Sequence, residues 1–257
     1  MLEALYAGSL EDAAERKSKV PASELESRIG ELSDPIDALK YFAPRENIHV
    51  LAEVKRASPS RGDLASIEDP SKLAALYEQG GATGISVLTE QRKFKGSLDD
   101  LERVRSAVKV PLLRKDFIAT EYQLLEARAF GADLALLIVA GLDQTTLKRL
   151  MKFTSQLGLT PFLETHDREE LERALDLGAN FVGVNARDLS TFETDRNLFG
   201  ELVDLFPSDV IKVAESAVRN KDDVRHYRDS GADVVLVGEA LVTSEPLTTL
   251  ASFLEVK

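Results

Sequence analysis

The sequence predicts one α/β domain, a single (β/α)8 TIM barrel with an N-terminal helical extension. Three observations carry that prediction. Eight apolar, β-branched-rich runs recur at residues 48–55, 83–88, 111–115, 133–139, 160–164, 180–185, 210–215 and 233–238. Amphipathic stretches lie between them: Leu73, Leu76 and Tyr77 line one helical face, as do Leu124, Leu125 and Ala129, then Leu171, Ala174 and Leu175. The chain has 257 residues, and such a barrel needs about 250.

The strands are nearly continuous in apolar character, which argues for a parallel sheet covered on both faces. Eight strand–helix units in this length favour closure into a barrel over a doubly wound open sheet. The links repeat as well. Gly81-Ala82-Thr83, Gly131-Ala132-Asp133, Gly178-Ala179-Asn180 and Gly231-Ala232-Asp233 each precede a strand. A glycine there suits the left-handed position that ends a helix. No Pro/Gly/Ser-rich linker divides the chain, so residues 1–47 are expected to pack on a barrel of residues 48–257. Within the extension, Leu2, Leu5, Tyr6, Ser9, Leu10 and Ala13 outline a helix ending near Pro21. Shorter helices are expected over 23–29 and 35–41. Two placements stay open, a plug at one end of the barrel or a cover over part of its site.

Composition narrows the function. The formal net charge is -12, which repels nucleic acid and anionic membranes unless a basic patch is segregated. The run Arg92-Lys93-Phe94-Lys95 is short and local. There is no cysteine, which excludes disulfides, thiolate nucleophiles and thiolate metal sites. His49, His166 and His226 lie far apart and form no ligand pair, so neither a metal nor another cofactor is expected. The N-terminus lacks a basic and apolar leader pattern. The longest apolar run, 134–142, falls short of the roughly 20 residues that span a bilayer. These features predict a cytoplasmic protein that binds a small molecule, with no nucleic-acid or membrane partner.

The polar residues cluster at strand ends, where a barrel carries its active site. The first strand offers Glu53 and Lys55, two apart and so on one face. The third offers Lys115, the fifth Glu164, the sixth Asn185 followed by Arg187, the seventh Glu215 and Ser216, and the eighth Gly238 and Glu239. Taken singly, each reads first as a polar cap or a structural ion pair. Their common location at one end points to a shared mouth. The turns Ala214-Glu215-Ser216-Ala217 and Val237-Gly238-Glu239-Ala240 run from strands toward helix starts. Backbone N–H groups in such turns bind phosphate, and N-capping by Ser216 is the competing reading.

The run Val50-Leu51-Ala52-Glu53-Val54-Lys55-Arg56-Ala57-Ser58-Pro59-Ser60 resembles the signature of the indole-3-glycerol-phosphate synthase family. Further segments agree in order: Leu113-Arg114-Lys115-Asp116-Phe117, Leu136-Leu137-Ile138-Val139, Gly183-Val184-Asn185-Ala186-Arg187-Asp188-Leu189, Ala214-Glu215-Ser216 and Val237-Gly238-Glu239-Ala240-Leu241. The resemblance covers essentially the whole chain. It implies a lyase of tryptophan biosynthesis that closes 1-(2-carboxyphenylamino)-1-deoxyribulose 5-phosphate to indole-3-glycerol phosphate, losing CO2 and water without a redox cofactor or metal. It implies Lys115 as the general acid and Glu164 as the base, with Glu53 a second carboxylate. Lys55 would bind substrate and assist loss of the hydroxyl, and Asn185 and Glu215 would orient the sugar. Arg187 would meet the carboxylated ring or hold the site loop. Ser216, Ala217, Gly238 and Glu239 would bind phosphate, with Ser58 close by. Pro59, Phe94, Phe117, Leu136, Ile138 and Leu189 would wall the aromatic ring, although each also reads as ordinary packing.

Two positions depart from the family pattern. Ala217 stands where glycine is frequent and would be strained if φ is positive, and Ala186 stands where a polar residue is frequent. A Schiff-base aldolase using Lys55 or Lys115 and a catalytically inactive phosphate-binding barrel are the competing readings. Whether the mixed charges around the lysines raise or lower their pKa is open at this level.

Overall fold

The structure, a computed structural model, describes residues 1–59, 61–188 and 191–257. The chain runs α1 (Leu2–Lys19), α2 (Ala22–Gly30), α3 (Ala38–Tyr41), β1 (His49–Val54), α4 (Pro70–Gln79), β2 (Gly84–Leu88), α5 (Leu98–Ala107), β3 (Leu112–Lys115), α6 (Glu121–Ala129), β4 (Leu134–Ile138), α7 (Gln144–Gln156), β5 (Thr160–Thr165), α8 (Arg168–Asp176), β6 (Phe181–Asn185), α9 (Leu198–Leu202), β7 (Ile211–Glu215), α10 (Lys221–Asp229), β8 (Val234–Val237), α11 (Glu239–Val242) and α12 (Pro246–Leu254). Among the described residues, β1 to β8 pair in parallel in chain order, and β8 returns to β1 to close the barrel. The register sets Glu53 beside Ser86, and Asn185 beside Glu215. The second pair thus brings two polar strand ends to one level.

The glycines of the repeated links adopt the expected conformation: φ is 91° at Gly81, 90° at Gly131, 75° at Gly178 and 97° at Gly231. The residue two positions later does more than begin a strand. Asp133 accepts the N–H of Leu112 at 2.8 Å, and Asp233 accepts that of Lys212 at 3.0 Å. Each carboxylate therefore ties a helix-to-strand link to the strand before it.

The extension uses both of the placements left open by the sequence. Tyr6 of α1 packs edge-on against Phe117, with ring centroids 5.6 Å apart, above the C-terminal strand ends. Leu25 of α2 joins Tyr122, Leu125 and Ala129 in a satellite cluster against α6. Phe42, just after α3, plugs the opposite end, 5.3 Å from the Phe181 ring and 5.6 Å from His49. Gly84 leaves room for it, because a Cβ there would collide with the Phe42 ring. Three expectations need correction. Leu10 and Leu76 stay exposed over more than a third of their surface, since their helices bury the neighbouring Ser9 and Ala74 instead. The third helix spans only Ala38–Tyr41, capped by Asp37 rather than starting at Pro35. A small antiparallel hairpin, Ala57–Ser58 with Gly62–Asp63, follows β1 and had no clear periodic signal. Among the described residues no helix is long and apolar enough to cross a membrane.

One buried charge network binds these layers. Arg114 is fully buried and donates to Asp116 Oδ2 at 2.9 Å, to Glu126 Oε2 at 3.2 Å, to Thr89 Oγ1 at 3.1 Å and to the Gln123 carbonyl at 2.6 Å. Asp116 accepts the Ser9 hydroxyl of α1 at 3.2 Å, and Glu126 accepts Arg16 Nε at 2.5 Å. Strand parity turns Arg114 outward to this network and turns Lys115 inward. Replacing Arg114 by Met leaves Asp116 buried without its charge partner, while Glu126 keeps the paired donors of Arg16. Removing one member of a buried pair costs about 3–5 kcal/mol. Arg114→Met should therefore lower the urea unfolding midpoint by a corresponding amount; an unchanged midpoint would contradict this account.

Candidate active site

The C-terminal strand ends open into a cavity of about 430 Å³. Side chains from β1, β3, β5, β6 and β7 meet at its floor. Lys115 Nζ donates to Glu164 Oε2 at 2.9 Å and to Glu215 Oε2 at 3.3 Å. Lys55 Nζ lies 2.6 Å from Glu53 Oε2, forming a separate pair on the β1 side. Asn185 donates through Nδ2 to Glu164 Oε1 at 3.1 Å and accepts the Ser216 hydroxyl at 2.7 Å. It also accepts the Arg187 backbone N–H at 3.1 Å. Asn185 thus links the carboxylate on β5 to the turn after β7.

Close backbone approach makes this density of charge possible. Gly183 lies under Glu215, and a Cβ there would run into Glu215 Oε1. Gly238 lies under the β1 pair, where a Cβ would collide with Glu53 Oε2 and stand 3.1 Å from Lys55 Nζ. Glycine at both positions leaves space for carboxylates instead of apolar side chains.

The electrostatics separate the two β5/β7 carboxyls. Burial pushes Glu164 upward, but Lys115, His166 and Asn185 outweigh it and hold the carboxylate well below its usual range. Burial and the adjacent charge of Glu164 push Glu215 up to about 8, against the pull of Lys115. Burial alone would lower Lys115, yet Glu164, Glu215 and Glu53 together raise it above the ordinary lysine value. The direction left open by the sequence is therefore upward. Lys115 thus stays an ammonium and Glu164 a carboxylate, while Glu215 keeps its proton to higher pH than an ordinary carboxyl. Glu215 Oε1 is buried and has no hydrogen-bond partner among the described residues.

The rim combines apolar wall and polar turns. Pro59, Phe94, Phe117, Leu136 and Ile138 all line the cavity, with the Phe94 and Phe117 rings 6.1 Å apart. Ser58 and Arg187 line it too, and Arg187 Nη1 donates to the Phe192 carbonyl at 3.0 Å. Leu189, expected in the wall, and Ser60, the last residue of the β1 signature, lie outside the described residues. Ser216 and Ala217 both have positive φ, 67° and 55°. Ser216 does not cap the next helix: α10 begins at Lys221, and Asn220 accepts its first N–H groups. Gly238 is the N-cap residue of α11 and supplies no side chain for the cap. The Glu239 side chain turns to Arg61, with Nη2–Oε1 2.6 Å. Ala186 is buried behind the floor.

The cavity wall also takes residues whose sequence pattern reads as plain packing. Met1, Leu2 and Leu5 reach the wall from α1, and Leu64, Phe192 and Leu236 add to it. Their apolar character gave no signal beyond ordinary packing. His166, which the sequence shows only as one of three scattered histidines, stands beside Glu164. Its position two residues after Glu164 was a usable signal of shared orientation.

A profile of the family described as indole-3-glycerol phosphate synthase matches residues 2–252. The chain is 60% identical over 253 residues to indole-3-glycerol phosphate synthase of Leifsonia xyli subsp. xyli, covering 98% of this chain and 97% of that one. It is 52% identical over 253 residues to the enzyme of the same name from Mycolicibacterium gilvum, covering 98% and 92%. Among solved structures, an N-acetylmannosamine-6-phosphate 2-epimerase from Clostridium perfringens superposes with a TM-score of 0.62 at 17% identity, covering 82% of this chain and 93% of that one. At that identity the likeness speaks for the barrel fold alone.

Two outcomes follow from this geometry. A non-glycine residue at positive φ carries about 1–2 kcal/mol of strain, more than the roughly 0.4–1 kcal/mol that glycine costs through the unfolded chain. Ala217→Gly should therefore stabilise the chain by about 0.5–1 kcal/mol, and thermal denaturation that shows a loss would remove the strain argument. Glu215 titrates near 4.5 when unperturbed and near 8 in the folded chain. Between those values the folded state binds the extra proton, so this group's contribution is full below about 4.5 and is lost as pH rises through 8. Glu215→Gln should therefore gain stability relative to the parent as pH rises from 5 to about 8.5, measured by urea titration at each pH. A constant difference would contradict the raised pKa.

Proposed function

The chain belongs to the indole-3-glycerol phosphate synthase family, and from that premise we propose how its barrel mouth divides the work of the family's reaction. The protein is a carboxy-lyase of tryptophan biosynthesis acting on a phosphorylated substrate. The substrate in this reading is 1-(2-carboxyphenylamino)-1-deoxyribulose 5-phosphate. Its aromatic ring lies in the slot between Phe94, Phe117, Leu136 and Ile138, and its phosphate lies over the turns at Ser216–Ala217 and Gly238–Glu239.

The single observation that carries the assignment is the placement of Lys115 between Glu164 and Glu215 at the cavity floor. Ring closure joins the ring carbon that bears the carboxylate to the sugar ketone carbon. Electron density moves onto the ketone oxygen, and Lys115 gives that oxygen a proton. Three nearby carboxyls keep Lys115 charged, so the acid is in its donating form before substrate arrives. A developing alkoxide is basic enough to take the proton from such an ammonium. Loss of CO2 returns its bonding pair to the ring and restores aromaticity. The new hydroxyl then leaves as water with a proton from Lys55, and Glu164 accepts the proton lost as the indole forms. An ionised Glu164 also stabilises the cationic intermediates electrostatically. Glu215, which holds its proton more tightly than an ordinary carboxyl, has an oxygen with no partner among the described residues that can hydrogen-bond the reacting sugar, and Asn185 orients Glu164 and Ser216.

The same charges argue against a Schiff-base aldolase, which needs a neutral lysine as nucleophile. Borohydride should trap no substrate adduct while turnover stays intact. Lys115→Ala and Glu164→Gln should each lower kcat by roughly 10²–10⁴-fold with the fold retained, followed by indole fluorescence as substrate is consumed. Lys55→Ala should raise KM as well as lower kcat. Near-parental turnover in either Lys115→Ala or Glu164→Gln would overturn the division of roles.

A further inference from the structure

His166 is a buried titratable group beside the cavity floor that the reaction scheme leaves without a task. It follows β5 directly, and only 10% of its side chain is exposed. Its Nδ1 lies 3.0 Å from Glu170 Oε2, and the same carboxylate oxygen accepts the His166 backbone N–H at 2.8 Å. Its Nε2 lies 3.2 Å from Glu164 Oε1, within ion-pair reach but off the line of a hydrogen bond. The imidazole is therefore gripped on one side by the first turn of α8 and presented on the other to the floor carboxylate.

We propose that His166 is a positioning residue that acts through Glu164, with Glu170 locking the ring so that an imidazolium faces the carboxylate throughout the reaction. This inference rests on the reading of Glu164 as the base. Two features of the site favour it. Glu164 Oε2 is occupied by Lys115 and Oε1 by Asn185, so its second oxygen is shared between a neutral amide and the imidazole. When Lys115 gives up its proton, the ammonium charge that stabilises Glu164 disappears. A second, independent cation then keeps the carboxylate ionised at the step in which a cationic intermediate must be stabilised.

The charged and titratable groups around the imidazole are consistent with an imidazolium. Glu164 and Glu170 face it directly. Lys115 and Glu215 stand beyond Glu164 on β3 and β7, and Tyr6 of α1 lies in the field of Glu164. Burial lowers the His166 pKa, but Glu164 and Glu170 raise it to about 10.

The test compares pH profiles of kcat and KM for the parent, His166→Asn and Glu170→Gln. Once Lys115 has given up its proton, the strongest pull on Glu164 is gone and its pKa returns toward the ordinary carboxylate range, where the acid limb of kcat can be read. Loss of the cation at His166 should then move that limb up by about one pH unit in His166→Asn. Turnover at the foot of the limb should then fall about tenfold, the ratio that one unit makes in the ionised fraction. It should recover toward the parent on the plateau, with KM within about twofold. Glu170→Gln should shift the limb in the same direction by less, and it carries the test if His166→Asn does not fold. A profile parallel to the parent's, lowered uniformly or not at all, would overturn the proposal, because a merely structural role does not move the limb. Glu164→Gln separates the two ideas. If it keeps turnover, the base assignment itself falls; if it loses turnover while His166→Asn keeps the parental limb, only the role of His166 falls.

Discussion

The placement of Lys115 among Glu164, Glu215 and Glu53 is the constraint on which the rest of the structure depends. Four ionisable side chains cannot leave water together unless their charges compensate. The barrel meets that requirement by bringing strands far apart in sequence to one level. Strand pairing sets Asn185 beside Glu215, and Lys115 reaches across to both Glu164 and Glu215. Glycines at 183 and 238 then leave room for the carboxylates of Glu215 and Glu53. The glycines are as much part of the site as the charges, since a methyl group at either would occupy the position of a carboxylate oxygen.

The cluster also explains how two chemically identical side chains take different roles. Glu164 is surrounded by Lys115, His166 and Asn185 and stays ionised, whereas Glu215 meets Glu164's charge and holds its proton. Environments that push the pKa values of paired acids apart are a common route to separate acid and base functions on one scaffold. In this barrel the separation is set by which neighbours each strand end brings. The outward-facing network of Arg114, Asp116 and Glu126 supports it from behind, because it fixes the strand that carries Lys115 and couples that strand to α1.

Much of this was legible in the residues. The eight apolar runs and the repeated Gly-Ala links predict the barrel because both are local: a strand buried on both faces is apolar throughout, and a helix ends where glycine can adopt positive φ. The polar strand ends that gather at the mouth were visible for the same reason, as charges placed where an apolar pattern should continue. The β1 signature and its companion segments pointed to the family and hence to the chemistry. The hairpin after β1 was not visible, because two-residue strands carry no periodicity. Leu10 and Leu76 misled because a helix reading marks only which residues could face inward.

The sequence by itself determined the alternation of strands and helices, the end of the barrel that carries polar groups, and the family. These are consequences of periodicity, turn chemistry and residue type. Only the tertiary structure decided that Lys115 is raised rather than lowered, that Ser216 turns to Asn185 instead of capping a helix, and that α1 covers the mouth while Phe42 plugs the base. The physical reason is common to all three. A pKa, a hydrogen-bond partner or a packing partner depends on groups tens of residues away, and closure of the barrel is what brings them within 3–6 Å.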